Sequence, residues 1–415
     1  MAKIQTFRAL RPADGMASQV ASPPYDVLST AEAREIVDAH PHSFLRVVRA
    51  EVAFSADADP YSEDVYNQGR KVLQQYQEEG TLQQESKPCL YIYRQQMGEQ
   101  VQTGLVAGAS CVEYDTEIIR KHEFTRPTKE KDRVKHIETL AAQTGPVWLA
   151  YRAVPQIDQK IKELTAGEPS FNFTAPDGVT HTGWVVTNDD DIALLQGMFD
   201  THVPLLYIAD GHHRSAAASQ VAKLWRDGHN ADAGHPSQFF LSVIYPHNQL
   251  NILAYNRYVH DLNGLTPETF LGKLLEVFDI DAVDDPAKPA PPERHQFAMY
   301  MNGEWHHLTA KAGTYQENDP IESLDVQILQ KRVLDPLLGI QDPRTSNRIS
   351  FVGGTRGHQE LEKLVQQGGG VAFACYPTSI DELFRVADDN QVMPPKSTWF
   401  APKLRSGLFT YLLND

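Results

Sequence analysis

Residues 210–214 read Asp-Gly-His-His-Arg and stand between an apolar run at 203–209 and a helix-forming stretch at 215–226. This pattern predicts a strand, a sharp turn and a helix. The first N–H groups of a helix point outward at the positive end of the helix dipole, where an anion is stabilised. The segment is therefore predicted to be a phosphate-binding turn.

Each residue type in this turn suits a phosphate ligand. Gly211 permits a tight turn and a close approach of the backbone to the ligand, and Arg214 offers a planar fork of donors. His212 and His213 add hydrogen-bond donors or a proton shuttle. We therefore expect cofactor contacts from Asp210, Gly211, His212, His213 and Arg214. In the alternative interpretation, Asp210 only caps the helix and the histidines are ordinary surface groups.

Adjacent histidines beside an aspartate could also bind zinc or iron. Neighbouring side chains on a helix diverge, however, whereas helical metal ligands need a spacing of three or four residues. We therefore predict no metal ion held by the protein itself, and we expect Mg²⁺ only as the companion of a bound nucleotide.

A second cluster of polar residues begins with His122 and Glu123, and the cations Lys129 and Arg133 follow further along the chain. A carboxylate beside a histidine could act as a general base, and the cations could hold phosphates. Glu123 is the preferred catalytic base. A charged stretch of this kind can also be no more than a solvated face.

Two other residues are catalytic candidates. Asp26 is the alternative base, because the prolines at positions 23 and 24 exclude a helix and present it on a loop. His213 could transfer a proton to or from the reacting group.

The C-terminal part of the chain contributes further cations. Lys396 follows two prolines that hold its backbone rigid, a placement suited to aiming an ammonium group at a phosphate. An ordinary surface turn is the alternative for this residue. We also predict a cofactor contact from Arg348, and Lys403 belongs to the same group of cations. The glycines at 353–357 lack the Gly-Lys-Ser/Thr ending of a P-loop and predict only a turn.

The composition limits the kinds of molecule that the protein is expected to bind and the compartment in which it is expected to occur. The chain has 38 Lys and Arg against 54 Asp and Glu, a formal charge of -16 that repels nucleic acid and anionic membranes. Its three cysteines form no CxxC pair, as expected in a reducing compartment. No stretch has the length and apolarity of a signal peptide or a membrane span. We therefore expect a cytoplasmic protein with a small-molecule substrate.

Strand and helix signals recur along the chain around these residues. This pattern predicts an α/β (α+β) protein, with a mixed sheet and flanking helices. Alternating apolar residues predict a hairpin from strands at 90–94 and 101–112. Apolar runs predict buried strands at 147–151 and 239–245, and the charged stretch is expected to lead into a helix at 136–143.

The proline-rich segment 287–292 is the best candidate for a linker. We therefore predict an α/β core at 1–285 that carries the turn, and a C-terminal α/β region at 286–415 that completes the site.

Several short segments together resemble one protein family. Their combination in this order, over nearly the whole chain, is similar to the domain of unknown function 1015 family. The chain departs from the family pattern at His42, where a tyrosine is more usual, and at 124–126. The matching segments are Phe-Arg-Ala-Leu-Arg-Pro at 7–12, Ser-Pro-Pro-Tyr-Asp-Val at 22–27, His-Glu at 122–123, Lys-Asp-Arg at 131–133, Asp-Gly-His-His-Arg at 210–214 and Met-Pro-Pro-Lys-Ser-Thr at 393–398.

This resemblance implies a phosphate-binding helix start similar to that of ParB and sulfiredoxin-like proteins. That superfamily includes nucleotide-dependent free-serine kinases, a nucleotide-driven DNA clamp and a phosphoryl-using sulfinic acid reductase, and in them the turn cradles nucleotide phosphates. Members of the family resembled here are often encoded beside serine-biosynthesis enzymes, which implies serine or phosphoserine as the small partner.

The predicted turn and the resemblance together favour an ATP- or ADP-dependent kinase that phosphorylates free serine. A phosphoserine phosphatase, with His213 as acid or nucleophile, is one alternative. A nucleotide-binding regulatory protein without catalysis is the other. A DNA clamp is disfavoured, because the chain is acidic and shows no helix-turn-helix pattern.

Overall fold

The computed structural model describes residues 1–283 and 285–414, with residue 229 described only through its backbone. Contacts between residues divide the chain into two compact units. Unit 1 consists of Met1–Lys121, Thr125–Leu250 and Pro402–Asp415, and unit 2 consists of His122–Phe124 and Asn251–Ala401.

Unit 1 contains both strands and helices. Its strands up to residue 250 are β1 (Ile4–Gln5), β2 (Leu10–Pro12), β3 (Leu82–Gln84), β4 (Leu90–Met97), β5 (Gln100–Ser110), β6 (Ile119–Arg120), β7 (Ala142–Gln143), β8 (Val147–Tyr151), β9 (Phe171–Thr174), β10 (Thr180–Val186), β11 (Leu206–Asp210) and β12 (Phe239–Pro246). Its helices are α1 (Ala17–Val20), α2 (Thr30–Ala39), α3 (Leu45–Val48), α4 (Glu63–Glu78), α5 (Cys111–Asp115), α6 (Pro127–Leu140), α7 (Pro155–Leu164), α8 (Asp189–His202) and α9 (His212–His229).

The main sheet of unit 1 has the strand order β6-β11-β8-β12-β5-β4-β10-β9, and β1 pairs with β5. The pairs β11–β6 and β12–β8 are parallel, whereas the other pairs are antiparallel. All five residues of β8 are buried, as is typical of a continuous apolar strand covered on both faces. The predicted mixed sheet with flanking helices is thereby confirmed.

The predicted hairpin is also confirmed, because β4 and β5 pair antiparallel across a turn at Gly98, whose φ is +60°. The helix predicted at 136–143 begins earlier, at Pro127, and ends at Leu140. Proline at the first helical position lacks only an N–H that would have no helical acceptor, so it starts a helix readily. The charged stretch after residue 126 is therefore helical.

Unit 2 is built on an antiparallel sheet with the order β15-β17-β16-β19-β14-β18. Phe270, Phe297, Leu329 and Phe373 lie in its buried core. Its strands are β13 (Asn251–Leu253), β14 (Tyr255–Val259), β15 (Phe278–Ala282), β16 (Gln296–Met301), β17 (Glu304–Ala310), β18 (Ile349–Gly353), β19 (Val371–Cys375) and β20 (Trp399–Ala401), and its helices are α10 (Pro267–Leu274), α11 (Asp325–Leu329), α12 (Gly357–Gly368) and α13 (Ile380–Asp388).

The proline-rich segment 287–292 lies inside unit 2. It follows β15 and precedes β16, and both strands pair with β17. The segment is therefore a loop within one sheet, and the domain boundary predicted at residues 285 and 286 falls inside unit 2. The change from one unit to the other comes between residues 250 and 251.

The last residues of the chain belong to unit 1. Strand β21 (Tyr411–Leu412) pairs with β7, and Leu10 and Thr410 form an isolated bridge. The carbonyl of Lys403 accepts a hydrogen bond from Nε2 of Gln95 at 2.9 Å. These contacts fix Lys403 in unit 1.

Among the described residues, none of the helices combines the length and the apolar character that crossing a membrane requires.

Candidate phosphate-binding site

Strand β11 ends at Asp210, and helix α9 begins two residues later at His212. Gly211 connects them with φ +101° and ψ 28°, a left-handed conformation that strains any residue with a Cβ. Within the described part of the chain, no side chain caps this end of α9 and no acidic residue lies in its first turn. The predicted strand, turn and helix are confirmed, and the N-terminal end of α9 lacks a competing carboxylate in its first turn.

Helix α9 is held tightly against its neighbours. Ala216, Ala217 and Ala218 are buried, and the helix packs against α6, β8 and β12. Because alanine side chains are short, the helix axis can approach the sheet closely. This packing orients an 18-residue helix, so that the positive end of its dipole lies at the turn.

Two cations converge on the carboxylate of Asp210. Nη2 of Arg214 lies 3.3 Å from Oδ2 of Asp210, and Nζ of Lys403 lies 3.5 Å from the same oxygen. Nη1 of Arg214 donates to the carbonyl of Pro146. The guanidinium is therefore fixed at two points, with Asp210 acting to position both cations.

Electrostatics keeps Asp210 ionised. Burial alone would raise its pKa, but the charges of Lys403 and Arg214 outweigh that effect and hold the pKa well below its usual range. Burial lowers the pKa of His212 to about 3, so this imidazole is neutral near pH 7. Counted over Asp210, His212, Arg214 and Lys403, the charge is one positive unit, which attracts an anion.

His213 is half-buried, and its Nε2 accepts a hydrogen bond from the backbone N–H of Arg126 at 3.0 Å. A lone pair on Nε2 is therefore engaged by the backbone. A role of His213 as nucleophile or proton donor through this nitrogen would first require that hydrogen bond to break.

The loop that carries Asp26 is anchored in unit 1. Nη1 of Arg49 donates to the carbonyls of Tyr25 and Leu28, both at 2.7 Å. The ring of Tyr25 lies 4.1 Å from the guanidinium carbon of Arg133. Tyr25 and Arg214 line one small cavity, so the exposed Asp26 stands beside a residue that borders the turn. Asp26, the alternative candidate base, therefore lies in the same unit as the turn.

Unit 2 contains the other predicted residues. Glu123 is half-buried, and the carbonyl of its neighbour His122 accepts a hydrogen bond from the N–H of Met393 at 2.9 Å. Lys396 is exposed with φ +59°, and its ammonium lies 5.3 Å from the centre of the Tyr255 ring. The segments that carry Glu123 and Lys396 therefore belong to one structural unit.

Arg348 already has structural partners in unit 2. Its Nε donates to Asp261 at 2.9 Å and its Nη1 donates to the carbonyl of Leu338 at 2.9 Å. Its Nη2 pairs with the second oxygen of the Asp261 carboxylate. A phosphate contact from Arg348, which stays a prediction, would compete with this two-point ion pair.

Several residues that shape the turn were not identified from the sequence. Gly145 and Pro146 precede β8, and a Cβ at Gly145 would lie 3.6 Å from Cδ of Arg214. Ser406 lines the same cavity as Arg214. A Gly-Pro pair directly before a buried strand is a local turn signal, whereas nothing local in the sequence marks Ser406.

The conformation of Gly211 gives a first testable prediction. Gly211→Ala should lower the free energy of unfolding by roughly 1–3 kcal/mol, the range for a residue forced into a sparsely populated backbone region. The added Cβ would also lie 3.2 Å from Cζ of Arg214 and displace it. Urea denaturation measures the change.

Gly228→Ala is the matched control, because Gly228 lies in the same helix and a Cβ there meets no atom within 4 Å. It should leave stability unchanged or raise it slightly. Equal stability of the Gly211→Ala variant and the wild type would show that the turn tolerates a Cβ.

The fold and the turn together define a mixed α/β protein with a candidate anion site at a strand–turn–helix junction. A family model described as "Protein of unknown function (DUF1015)" matches residues 4–327. The match covers more than half of the chain, and the chain belongs to this family. None of the curated proteins compared with the chain matches it.

The fold of this chain is weakly similar to those of several solved structures. A free serine kinase in complex with AMP has 13% identity and a TM-score of 0.36 over 72% of this chain and 87% of that chain. A conserved hypothetical protein from Pyrococcus furiosus has 10% identity and a TM-score of 0.35, over 72% and 90%. SbnI with a C-terminal truncation, from Staphylococcus aureus, has 11% identity and a TM-score of 0.38, over 72% and 84%.

Proposed function

We propose that this protein is a nucleotide-dependent kinase that transfers a phosphoryl group to the hydroxyl of a small molecule, and that this molecule is free serine. The observation that carries the proposal is the turn itself. A left-handed Gly211 opens an 18-residue helix, and Arg214 and Lys403 flank that opening. Helix N-termini and fixed cations are the groups that proteins use to hold phosphates.

Phosphoryl transfer depends on positioning and charge neutralisation more than on covalent chemistry by the protein. The hydroxyl oxygen of the acceptor forms a bond to the terminal phosphorus of ATP or ADP, and the bond from that phosphorus to the bridging oxygen breaks. The shorter nucleotide leaves, and the hydroxyl proton passes to a carboxylate. Glu123 is the proposed base and Asp26 the alternative.

The cations have separate roles in this proposal. Arg214 is fixed by Asp210 and Pro146, so its remaining N–H donors would meet a phosphate without reorganisation. Lys403 would add a second positive charge from the C-terminal segment. Mg²⁺ would arrive with the nucleotide and neutralise part of its charge.

Nucleotide binding tests the proposal. Calorimetric titration with ATP, ADP and CTP in the presence of Mg²⁺ should show binding to the wild type. Arg214→Ala should weaken it by roughly 10- to 100-fold, since hydrogen bonds to charged groups contribute about 1.5–3 kcal/mol. Arg226→Ala is the control, because Arg226 lies near the other end of α9 and pairs with Gln238.

The outcomes separate the possible functions. Binding that depends on Arg214, followed by phosphoserine formation from serine, supports the kinase. Tight nucleotide binding without turnover on any small acceptor would instead indicate a regulatory protein. Release of phosphate from phosphoserine with no nucleotide binding would replace the kinase with a phosphatase.

A further inference from the structure

A small cavity in unit 1 borders the turn at residues 210–214 and shares Arg214 with it. The volume of the cavity is about 30 Å³. Because one bound water needs roughly 10–15 Å³ of such space, the cavity accommodates about two or three non-hydrogen atoms. The polar side chains of its wall include Tyr25, Arg133, His136, Thr144, Arg214 and Ser406.

The charged groups in the wall of this cavity are both positive. Arg133 and Arg214 line it, and no carboxylate does so within the described part of the chain. Burial and the charge of Arg133 lower the pKa of His136 to about 3, so this ring is neutral at pH 7. Nε2 of His136 is fully buried, so the histidine offers a ligand no contact through that nitrogen. The wall therefore favours an anion.

Arg133 is oriented by a carboxylate that lies outside the wall. Its side chain is 11% exposed, and Nη2 and Nε contact Oδ2 of Asp132 at 2.8 and 3.0 Å. The other oxygen of Asp132 accepts a hydrogen bond from the hydroxyl of Tyr66 at 2.8 Å. Among the described residues, Nη1 of Arg133 donates to no protein group. The guanidinium is therefore held in place and keeps N–H donors for a ligand.

Three hydroxyl groups of the wall have no hydrogen-bond partner in the described ranges of the chain. Thr144 and Ser406 are only 6% and 3% exposed, and buried hydroxyls seldom lack a partner. Tyr25 is half-buried, and burial raises its pKa to about 12, so its hydroxyl keeps the proton at pH 7. Each of these hydroxyls can donate a hydrogen bond. A ligand rich in acceptors would satisfy all three together with Arg133.

We propose that this cavity binds the carboxylate of a small organic acid, with the carboxylate oxygens accepting from Arg133 and from the hydroxyls of Tyr25, Thr144 and Ser406. An ionised carboxylate is an acceptor only, and its planar shape matches a guanidinium. Its two oxygens and one carbon fit the volume of the cavity. Phosphate, with a central phosphorus and four oxygens, is larger than the cavity accommodates.

The inference deepens the proposed function and rests on it for the reaction, although carboxylate binding does not require the kinase. Arg214 belongs to both the cavity wall and the turn. A carboxylate in the cavity would therefore lie beside the residue proposed to hold the transferred phosphate. The cavity would thereby select acceptors that carry a carboxylate.

Acetate and acetamide test the chemical class of the ligand, because they share one shape and differ in charge. Calorimetric titration of the wild type with sodium acetate should give a dissociation constant of roughly 0.1–10 mM, a range open to so small a ligand. Acetamide should bind roughly 10- to 100-fold more weakly, the loss expected for charge-assisted hydrogen bonds. Equal binding of acetate and acetamide, or no binding of acetate in this range, would overturn the proposal.

Variants of the wall assign the binding to the cavity. Arg133→Gln should weaken acetate binding by roughly 10- to 100-fold, and Arg133→Lys, which retains the charge, should weaken it less. Thr144→Val keeps the shape of the side chain and should weaken binding by about 2- to 10-fold, the contribution of a neutral hydrogen bond. Lys131→Gln is the control, because Lys131 is exposed on the same helix as Arg133. Thermal melts identify any variant that fails to fold, and Thr144→Val decides the outcome if Arg133→Gln does.

Inorganic phosphate distinguishes the cavity from the turn. Phosphate that binds at the turn should keep its affinity within about threefold in Arg133→Gln, since the proposed donors there are Arg214, Lys403 and the start of the helix. A loss of phosphate binding as large as the loss of acetate binding would show that the cavity accepts any oxyanion, which contradicts the carboxylate assignment.

The two proposals fail in different ways. Acetate binding that depends on Arg133, without any nucleotide binding, would remove the kinase and retain the carboxylate site. Nucleotide binding that depends on Arg214, without acetate binding, would retain the proposed function and remove the carboxylate site.

Discussion

Replacing Glu123 with glutamine should lower turnover of the acceptor by roughly two to four powers of ten, while nucleotide affinity changes little. Glutamine keeps the shape of the side chain but cannot accept the hydroxyl proton, and positioned general bases contribute about this factor. The prediction rests on the proposed kinase reaction and on the half-buried position of Glu123. Single-turnover measurements at saturating serine and nucleotide isolate the chemical step.

Two comparisons make this experiment decisive. Glu99→Gln removes the same charge at an exposed turn between β4 and β5 and should leave turnover unchanged. Asp26→Asn tests the alternative base directly. Full activity in the Glu123→Gln variant, together with a loss in Asp26→Asn, would transfer the role of base from Glu123 to Asp26.

Lowering the pH from about 6.5 towards 3 should destabilise the protein steeply. Burial lowers the pKa of His136, His181 and His212 to about 3 in the folded protein, whereas an unfolded histidine titrates near 6.5. Between these values the unfolded chain binds more protons, so the unfolding free energy falls as pH falls. Three such groups together give a slope of about 4 kcal/mol per pH unit between their two pKa values, at roughly 1.4 kcal/mol for each.

Urea denaturation at a series of pH values measures this slope. His181 is fully buried, with Nδ1 2.6 Å from the hydroxyl of Tyr93 and Nε2 3.3 Å from Nε of Arg405. His181→Gln should remove about one third of the slope, whatever its effect on stability at pH 7. His40→Gln, at an exposed position after α2, should leave the slope unchanged. A flat profile between pH 6.5 and 4 would show that the buried histidines charge without cost.

The sequence identified the elements whose signals are local. The alternation of apolar and polar residues correctly predicted the hairpin of β4 and β5. The apolar run at 147–151 correctly predicted β8, with the same bounds. The strand, turn and helix around residue 211 were predicted in order, because a glycine between an apolar run and a helix-forming stretch is a local signal that requires no distant contact. The start of α6 was missed, since charged residues at 127–133 hide the helical period there.

What the sequence by itself determined about this protein is its family, its mixed α/β class and the turn at residues 210–214. The tertiary structure alone brought Lys403 to Asp210, 193 positions earlier in the chain, and placed Tyr25 against Arg133 and beside Arg214. It also showed that the proline-rich segment 287–292 is a loop between two strands of unit 2. The physical reason is that periodicity and turn chemistry act over a few residues, whereas such long-range contacts depend on which apolar faces pack together in the folded chain.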